Sequence, residues 1–346
     1  MASVDVTVRG AGIFGLSVAY CCARRGARVR VVDPRGPGGG ASGGIVGALA
    51  PHTPENWNAK KAFQFDSLLM AKAFWADVAA RARRDPGYGR CGRLQPVADA
   101  RALELAQSRA EGAADLWQGR AVWRIIRRQE AGPFAPESPT DWLIEDTLSA
   151  RLHPRRACAA LAGAIEALGG EVATTAETEG AEVLATGWEG LGALGAELGQ
   201  TVGTGVKGQA VLLDYAAPNA PQLFVDGLHI IPHGDGTTAV GSTSERAFED
   251  PAMTDAQIDA LHARAVAVCP ALANAPVLER WAGVRPRARS RAPMLGPHPL
   301  KPGVFITNGG FKIGFGMAPK VGEVMADLVL EGHDAIPEGF RVADNL

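Results

Sequence analysis

Glycines at positions 10, 12 and 15, spaced G-x-G-x-x-G, follow an alternating apolar run, Val4 to Val8, and open an apolar helical stretch that Gly26 breaks. A second β-rich run, Ala27 to Val32, ends on Asp33. Strand, tight turn, helix, strand and acid in that order form a dinucleotide-binding fingerprint. Gly10 allows the turn. Gly12 has no Cβ, so a pyrophosphate can approach the backbone, and Gly15 lets the helix pack closely on the strand. The helix N-terminus at Ile13 and Phe14 offers unpaired N–H groups and a positive dipole end to phosphates. Asp33 can accept hydrogen bonds from ribose hydroxyls. The fingerprint alone serves NAD and FAD equally.

A second candidate chemistry lies far along the chain. Arg285 follows an apolar run, Trp281 to Val284, and alternates with Arg287, Arg289 and Arg291. One or two of these four arginines need only be solvated. At the end of an apolar strand the Arg285 guanidinium would be shielded, and its planar fork pairs bidentately with a carboxylate. His229 reads either as a satisfied sheet histidine or as a wall of an active site. His52, after Pro51, is left outside the assignment.

The elements that must position these groups follow from periodicity and punctuation. Residues 34–51 are rich in glycine but apolar in their second half, which suits a loop wrapped against something flat rather than a solvated linker; Ser42 there could donate to a phosphate. Helical patterns cover 59–84, 100–117, 154–168 (closed by Gly169 and Gly170), 254–268 and 318–330. Strands are expected at 91–97, 171–175, 182–188, 206–213, 222–232, 237–242, 277–284 and 304–307, with Gly234-Asp235-Gly236 as a hairpin turn. Residues 129–141 hold several prolines and read as a loop. The strands at 171–188 are parallel-sheet material that belongs beside the first two, so a nucleotide-binding domain is interrupted and then resumed.

Composition narrows the function. A chain of 346 residues carrying a formal charge of −2 offers no field that would attract nucleic acid. The five cysteines, Cys21, Cys22, Cys91, Cys158 and Cys269, are odd in number and form no C-x-x-C pair. They read as reduced thiols in a cytoplasmic chain, with neither a disulfide framework nor a metal site. A strand begins almost at the N-terminus, which leaves no room for a signal peptide, and no apolar run is long enough to span a bilayer.

Three later stretches complete a pattern. They are Trp281-Ala282-Gly283-Val284-Arg285-Pro286 with Ala292-Pro293-Met294-Leu295-Gly296, the turn Gly309 to Gly314, and the loop from Ala41 and Ser42 to Pro51. With the fingerprint they resemble the D-amino-acid oxidase superfamily of FAD enzymes, most closely its glycine oxidase branch, over nearly the whole chain and in the right order. Lys207-Gly208-Gln209, His229 to Pro232 and Gly241-Ser242-Thr243 fall where that branch has similar segments.

The resemblance implies noncovalent FAD and an α/β fold: a discontinuous Rossmann-like FAD-binding domain (1–75, 145–205 and 285–346) with an antiparallel-sheet substrate domain (76–144 and 206–284). It puts Gly10, Gly12, Gly15 and Asp33, with Ile13, Phe14 and Pro34 beside them, on the ADP half. Ala41, Ser42, Gly47 and Ala48 would lie along the pyrophosphate and flavin, and Val172, Thr186 and Gly187 would continue the cleft. Gly310, Phe311, Lys312, Ile313 and Gly314 would face the flavin, where a helix N-terminus and the Lys312 ammonium stabilise negative charge on the reduced ring. In the family the arginine at position 285 holds the substrate carboxylate. His229 and Lys312 stand where the glycine oxidase branch has a tyrosine and an arginine, and the usual Thr-x-Asp after Pro286 is missing.

The implied activity is oxidation of an amine next to a carboxylate (glycine, D-amino acid or N-substituted glycine). Hydride passes to flavin N5, the imine is hydrolysed, and oxygen or an electron-transfer partner reoxidises the flavin. Two other readings stay open: oxidative trimming of a carboxymethylaminomethyl group on tRNA wobble uridine, and a non-catalytic flavin-binding protein.

Overall fold

The computed structural model describes residues 3–346. Two sheets organise the chain. The first has six strands in the order Met294–Pro297, Val304–Asn308, Ala181–Leu184, Val6–Arg9, Val29–Val32 and Glu171–Ala173. Its pairings are parallel except for the hairpin formed by the first two. The central strands are rich in valine and leucine because helices cover parallel sheets on both faces. Helix Ile13–Arg24 is buried on every side from Ile13 to Ala23, which makes Cys21 and Cys22 packing residues. It contacts helices Pro154–Ala167 and Gly314–Glu331, and the long helix Ala59–Ala82 packs on both of those.

The second sheet has eight strands in the order Val277–Ala288, Gly203–Leu213, Thr238–Gly241, Leu228–Pro232, Gln222–Val225, Arg93–Pro96, Trp142–Asp146 and Trp123–Arg127. It is antiparallel apart from one parallel pairing, Gln222–Val225 with Arg93–Pro96. Helix Gln257–Val268 packs on it over a separate apolar core that includes Val211, Leu223, Ile230 and Leu261. No helix among the described residues is long and apolar enough to cross a membrane.

Several boundaries differ from those expected. The stretch 222–232 is two strands, because Asp226 and Gly227 both take positive φ and turn the chain into a hairpin. The strand expected through Trp188 stops at Leu184, and a helix, Gly187–Glu197, begins there. The last helix starts at Gly314, four residues before Ala318, and carries Pro319 in its interior. Strands Trp123–Arg127, Trp142–Asp146 and Met294–Pro297 lie in segments the pattern left unassigned. Strand Val277–Ala288 does not end before Arg285 but runs three residues past it, and so crosses the domain boundary expected at 284/285. Arg285 stands in mid-strand, opposite Val206.

Candidate active site

A cavity of about 800 Å³ lies along the C-terminal ends of the parallel strands. Residues at or just past those ends line it: Arg9 and Gly10, Val32 and Asp33, Ala185 and Thr186, Thr307 and Asn308. This is where open α/β sheets hold their ligands. Gly10 has φ +109° and a Cβ there would lie 2.3 Å from the Ala185 carbonyl oxygen, so no other residue fits this turn. Gly12 caps the first helix without a side-chain hydrogen bond. The Ile13 N–H donates to Ser42 Oγ at 2.9 Å, and the hydroxyl keeps its own hydrogen to donate into the cavity. Asp33 is buried. One of its carboxylate oxygens accepts from the Ala11 N–H and the other from the Arg35 N–H, each at 2.9 Å. It thereby ties the fingerprint turn to the loop that follows, whatever else it binds.

The cavity ends against the second sheet. Arg285 Nη1 donates to Ser242 Oγ at 2.9 Å, and Nη2 donates to the carbonyl oxygens of Thr243 and Lys207 at 2.8 and 3.3 Å. Nε is buried without a partner. Among the described residues no carboxylate forms an ion pair with this guanidinium, and burial pulls its pKa down to about 10, with Glu245 opposing. Behind it, Lys207 and Glu245 form a buried ion pair at 3.9 Å. The Glu245 carboxylate also accepts from Thr243 Oγ1 and from Gln209 Nε2, so the backbone that holds Arg285 is itself tethered. Gly208 leaves the guanidinium its space: a Cβ there would lie 1.5 Å from Nη2.

Lys312 stands on the turn before the final helix, accessible from the cavity yet crowded by protein. Desolvation and then Arg285 lower its pKa. Phe311 takes φ +43°, a sparsely populated conformation for an aromatic residue. Its N–H donates to the Pro286 carbonyl oxygen at 2.9 Å, which locks the turn to the Arg285 strand. The His229 ring packs on Phe224 at 4.7 Å between centroids. Its pKa falls to about 3, through burial first and then through Arg93, Lys312 and Arg285. It is therefore a neutral imidazole in the working pH range.

The structure brings Arg285, Lys312 and His229 to one cavity with Gly10, Gly12, Ile13, Phe14, Asp33, Pro34, Ala41, Ser42, Gly47, Ala48, Thr186, Gly187, Gly310, Phe311 and Gly314. Three expected residues are not on its wall. Gly15 faces the Gly10 carbonyl, where a Cβ would lie 2.0 Å away. Val172 pairs with Val31 in the edge strand. Ile313 donates its N–H back to Gly310. His52 also stays off the wall, and its ring contacts the Gln64 side-chain oxygen.

A family profile described as FAD dependent oxidoreductase matches residues 5–328. The chain belongs to this family. Its cofactor is FAD, and the enzyme is an FAD-dependent oxidoreductase. Glycine oxidase of Geobacillus kaustophilus is 25% identical over 371 residues, covering 94% of this chain and 92% of the relative. The crystal structure of glycine oxidase from that organism superposes with a TM-score of 0.82 at 21% identity, covering 98% of each chain. Iminodiacetate oxidase from Chelativorans sp. BNC1 superposes with a TM-score of 0.83 at 22% identity, covering 97% of this chain and 98% of that one.

The residues present suit FAD. Two helices, Ile13–Arg24 and Gly314–Glu331, bring their N-termini to the cavity, and neither N-cap residue supplies a side-chain hydrogen bond; apart from the Ile13 N–H held by Ser42, this leaves N–H groups for anionic parts of a ligand. Glycines at 10 and 12 keep the cradle open at one end, and Gly44 and Gly47 line its middle. Sequence reasoning missed Ser242, Trp188 and Gly208. Ser242 and Gly208 belong to segments that carried the resemblance, but only cross-strand register sets them against Arg285: Gly208 pairs with Gly283 and Lys207 with Val284, and Gly241, just before Ser242, pairs with Ala210.

Proposed function

We propose that the enzyme oxidises an amine whose α-carbon carries a carboxylate. The observation that carries this reading is Arg285, a guanidinium that faces the cavity, is fixed by three protein acceptors and has no carboxylate partner. FAD, when bound, would supply the two-electron sink for oxidation of the carbon–nitrogen bond to an imine, which water would hydrolyse. Arg285 holds the carboxylate and so fixes which C–H bond faces inward. Lys312 and the uncapped N-terminus of the final helix supply positive potential at the far end of the turn. Neutral His229 offers a polar ring without adding a third charge. The carboxylates on the wall, Asp33 and Glu189, belong to the fingerprint end, which suits chemistry in which the protein contributes mainly orientation and charge at the substrate end.

The same proposal includes noncovalent FAD, since no cysteine lines the cavity and His229 is its one histidine. Acid precipitation should leave the flavin in the supernatant. It also includes oxygen or an electron-transfer protein as final acceptor, and the division into a cofactor unit and a substrate unit, with strand Val277–Ala288 shared between them. The test is anaerobic. Purified holoenzyme is mixed with glycine, N-methylglycine, both enantiomers of common amino acids and larger N-substituted glycines while flavin absorbance is followed. Bleaching by α-amino or N-alkyl acids, and not by the matching amines without a carboxylate, supports the reading. Equal bleaching by both sets, or by neither, overturns it.

A further inference from the structure

The substrate end of the cavity is charged in one sense only. Three cationic groups surround the Phe311 ring: Arg285 Cζ and Arg287 Cζ each lie 5.7 Å from its centroid, and Lys312 Nζ lies at 5.8 Å. Arg285 and Lys312 both line the cavity, and their distances to the shared centroid place the two charged groups no more than 11.5 Å apart (5.7 plus 5.8). Among the described residues, none of the three cations forms an ion pair with a carboxylate. The acids on the cavity wall, Asp33 and Glu189, belong to the fingerprint end, where Arg35 Nη1 donates to Glu189 at 2.8 Å. The substrate end thus holds two cations against one ring, and neither has a carboxylate in an ion pair with it among the described residues.

This arrangement is also held in place. Phe311 is pinned to Pro286 through its N–H, and Gly310 forms a bridge with Arg287, so the Lys312 turn and the Arg285 strand keep their separation. A substrate with one carboxylate would neutralise Arg285 and bring its amine close to an uncompensated ammonium. A second carboxylate would remove that repulsion. Resting on the amine–carboxylate reading above, we propose that the preferred substrate is an amine bearing two carboxylates, one held by Arg285 and the other by Lys312. A group of the N-carboxymethyl amino acid or amino-dicarboxylic acid kind has the required chemistry.

The test uses inert probes, so that it reads binding and not turnover. Thiodiacetate and (methylthio)acetate share a frame in which sulfur replaces the nitrogen, and they differ by one carboxylate. Their dissociation constants for FAD-loaded enzyme are measured by calorimetry, for wild type, Lys312→Met, Arg285→Met and Arg289→Ala. Thiodiacetate should bind wild type about tenfold more tightly, as a partly desolvated ion pair would give. Lys312→Met should abolish that difference while leaving (methylthio)acetate little changed or slightly tighter. Arg285→Met should weaken both, and Arg289→Ala, which changes an exposed arginine, should keep the wild-type ratio. Equal affinities in wild type, a ratio unmoved by Lys312→Met, or no binding of either probe would overturn the two-carboxylate proposal. Those outcomes leave the amine reading to the bleaching panel, in which N-methylglycine against N-carboxymethylglycine and alanine against aspartate supply the matched pairs.

Discussion

Replacing Gly208 by alanine should disable Arg285 without touching its charge. The new Cβ would lie 1.5 Å from Arg285 Nη2 and 2.4 Å from Cζ, whereas ordinary contact begins at 3.4 Å. The guanidinium must therefore retreat by about 2 Å, the difference between the first and last of these distances. The atoms that must move are the end of a flexible side chain rather than backbone, so the strand should survive and the melting temperature should change little. What is lost is the anchoring of Nη2 to the Thr243 and Lys207 carbonyl oxygens, hydrogen bonds of a charged group that contribute roughly 1.5–3 kcal/mol each at most. A misplacement on the order of 1 Å of a group that orients the reacting carbon lowers the rate about a hundredfold. We therefore expect kcat/KM for the best acidic amine to fall about 10²-fold, with FAD content and the unfolding transition near wild type. Stopped-flow flavin reduction against substrate concentration measures it. A Gly208→Ala enzyme that is folded, FAD-loaded and as fast as wild type would refute the placement of Arg285 as the carboxylate anchor.

Other expectations follow from the same geometry. Arg285→Ala should reduce kcat/KM by the equivalent of about 2–5 kcal/mol, and Arg285→Lys should be impaired too, because it keeps the charge but not the planar fork; Arg289→Ala is the control, measured in the same reduction assay. Asp33→Ala should weaken FAD by roughly 1.5–3 kcal/mol and loosen the fingerprint turn, while turnover at saturating FAD stays near wild type; a collapsed rate with unchanged FAD affinity would show the role to be misassigned. His229, with its folded pKa lowered to about 3, stays neutral while the unfolded chain takes up a proton below about 6.5. The unfolded state then binds more protons, so this group's contribution to stability falls as pH drops from about 6.5 toward 3, by on the order of 1–2 kcal/mol at pH 5. His229→Gln should therefore lose less stability than wild type between pH 7.5 and 5 in urea titrations, and equal losses would contradict the buried neutral imidazole.

Much of the cofactor half was legible because its signals are local. Gly10, Gly12, Gly15 and Asp33 lie within one strand–helix–strand unit, where each residue type answers to a backbone constraint a few residues away. The helix ends marked by Pro154 and Gly169 fall within a few residues of expectation for the same reason. Strands such as Trp123–Arg127 and Trp142–Asp146 escaped because short runs containing charged residues become strands only when a neighbour supplies the ladder. Arg285 could be singled out by its company, but its chemistry could not. Sequence placed it at a strand end, whereas the sheet carries it in mid-strand beside Gly208, whose lack of a side chain 77 positions earlier makes room for the guanidinium. The network behind it, Lys207 and Gln209 with Thr243 and Glu245, joins two segments to the Arg285 strand through cross-strand register, and register is set by pairing over the whole sheet. The sequence by itself thus determined the nucleotide fingerprint and the residue types of the site. Tertiary structure decided which cations share a cavity, which of them lack a partner, and hence what charge the substrate must bring.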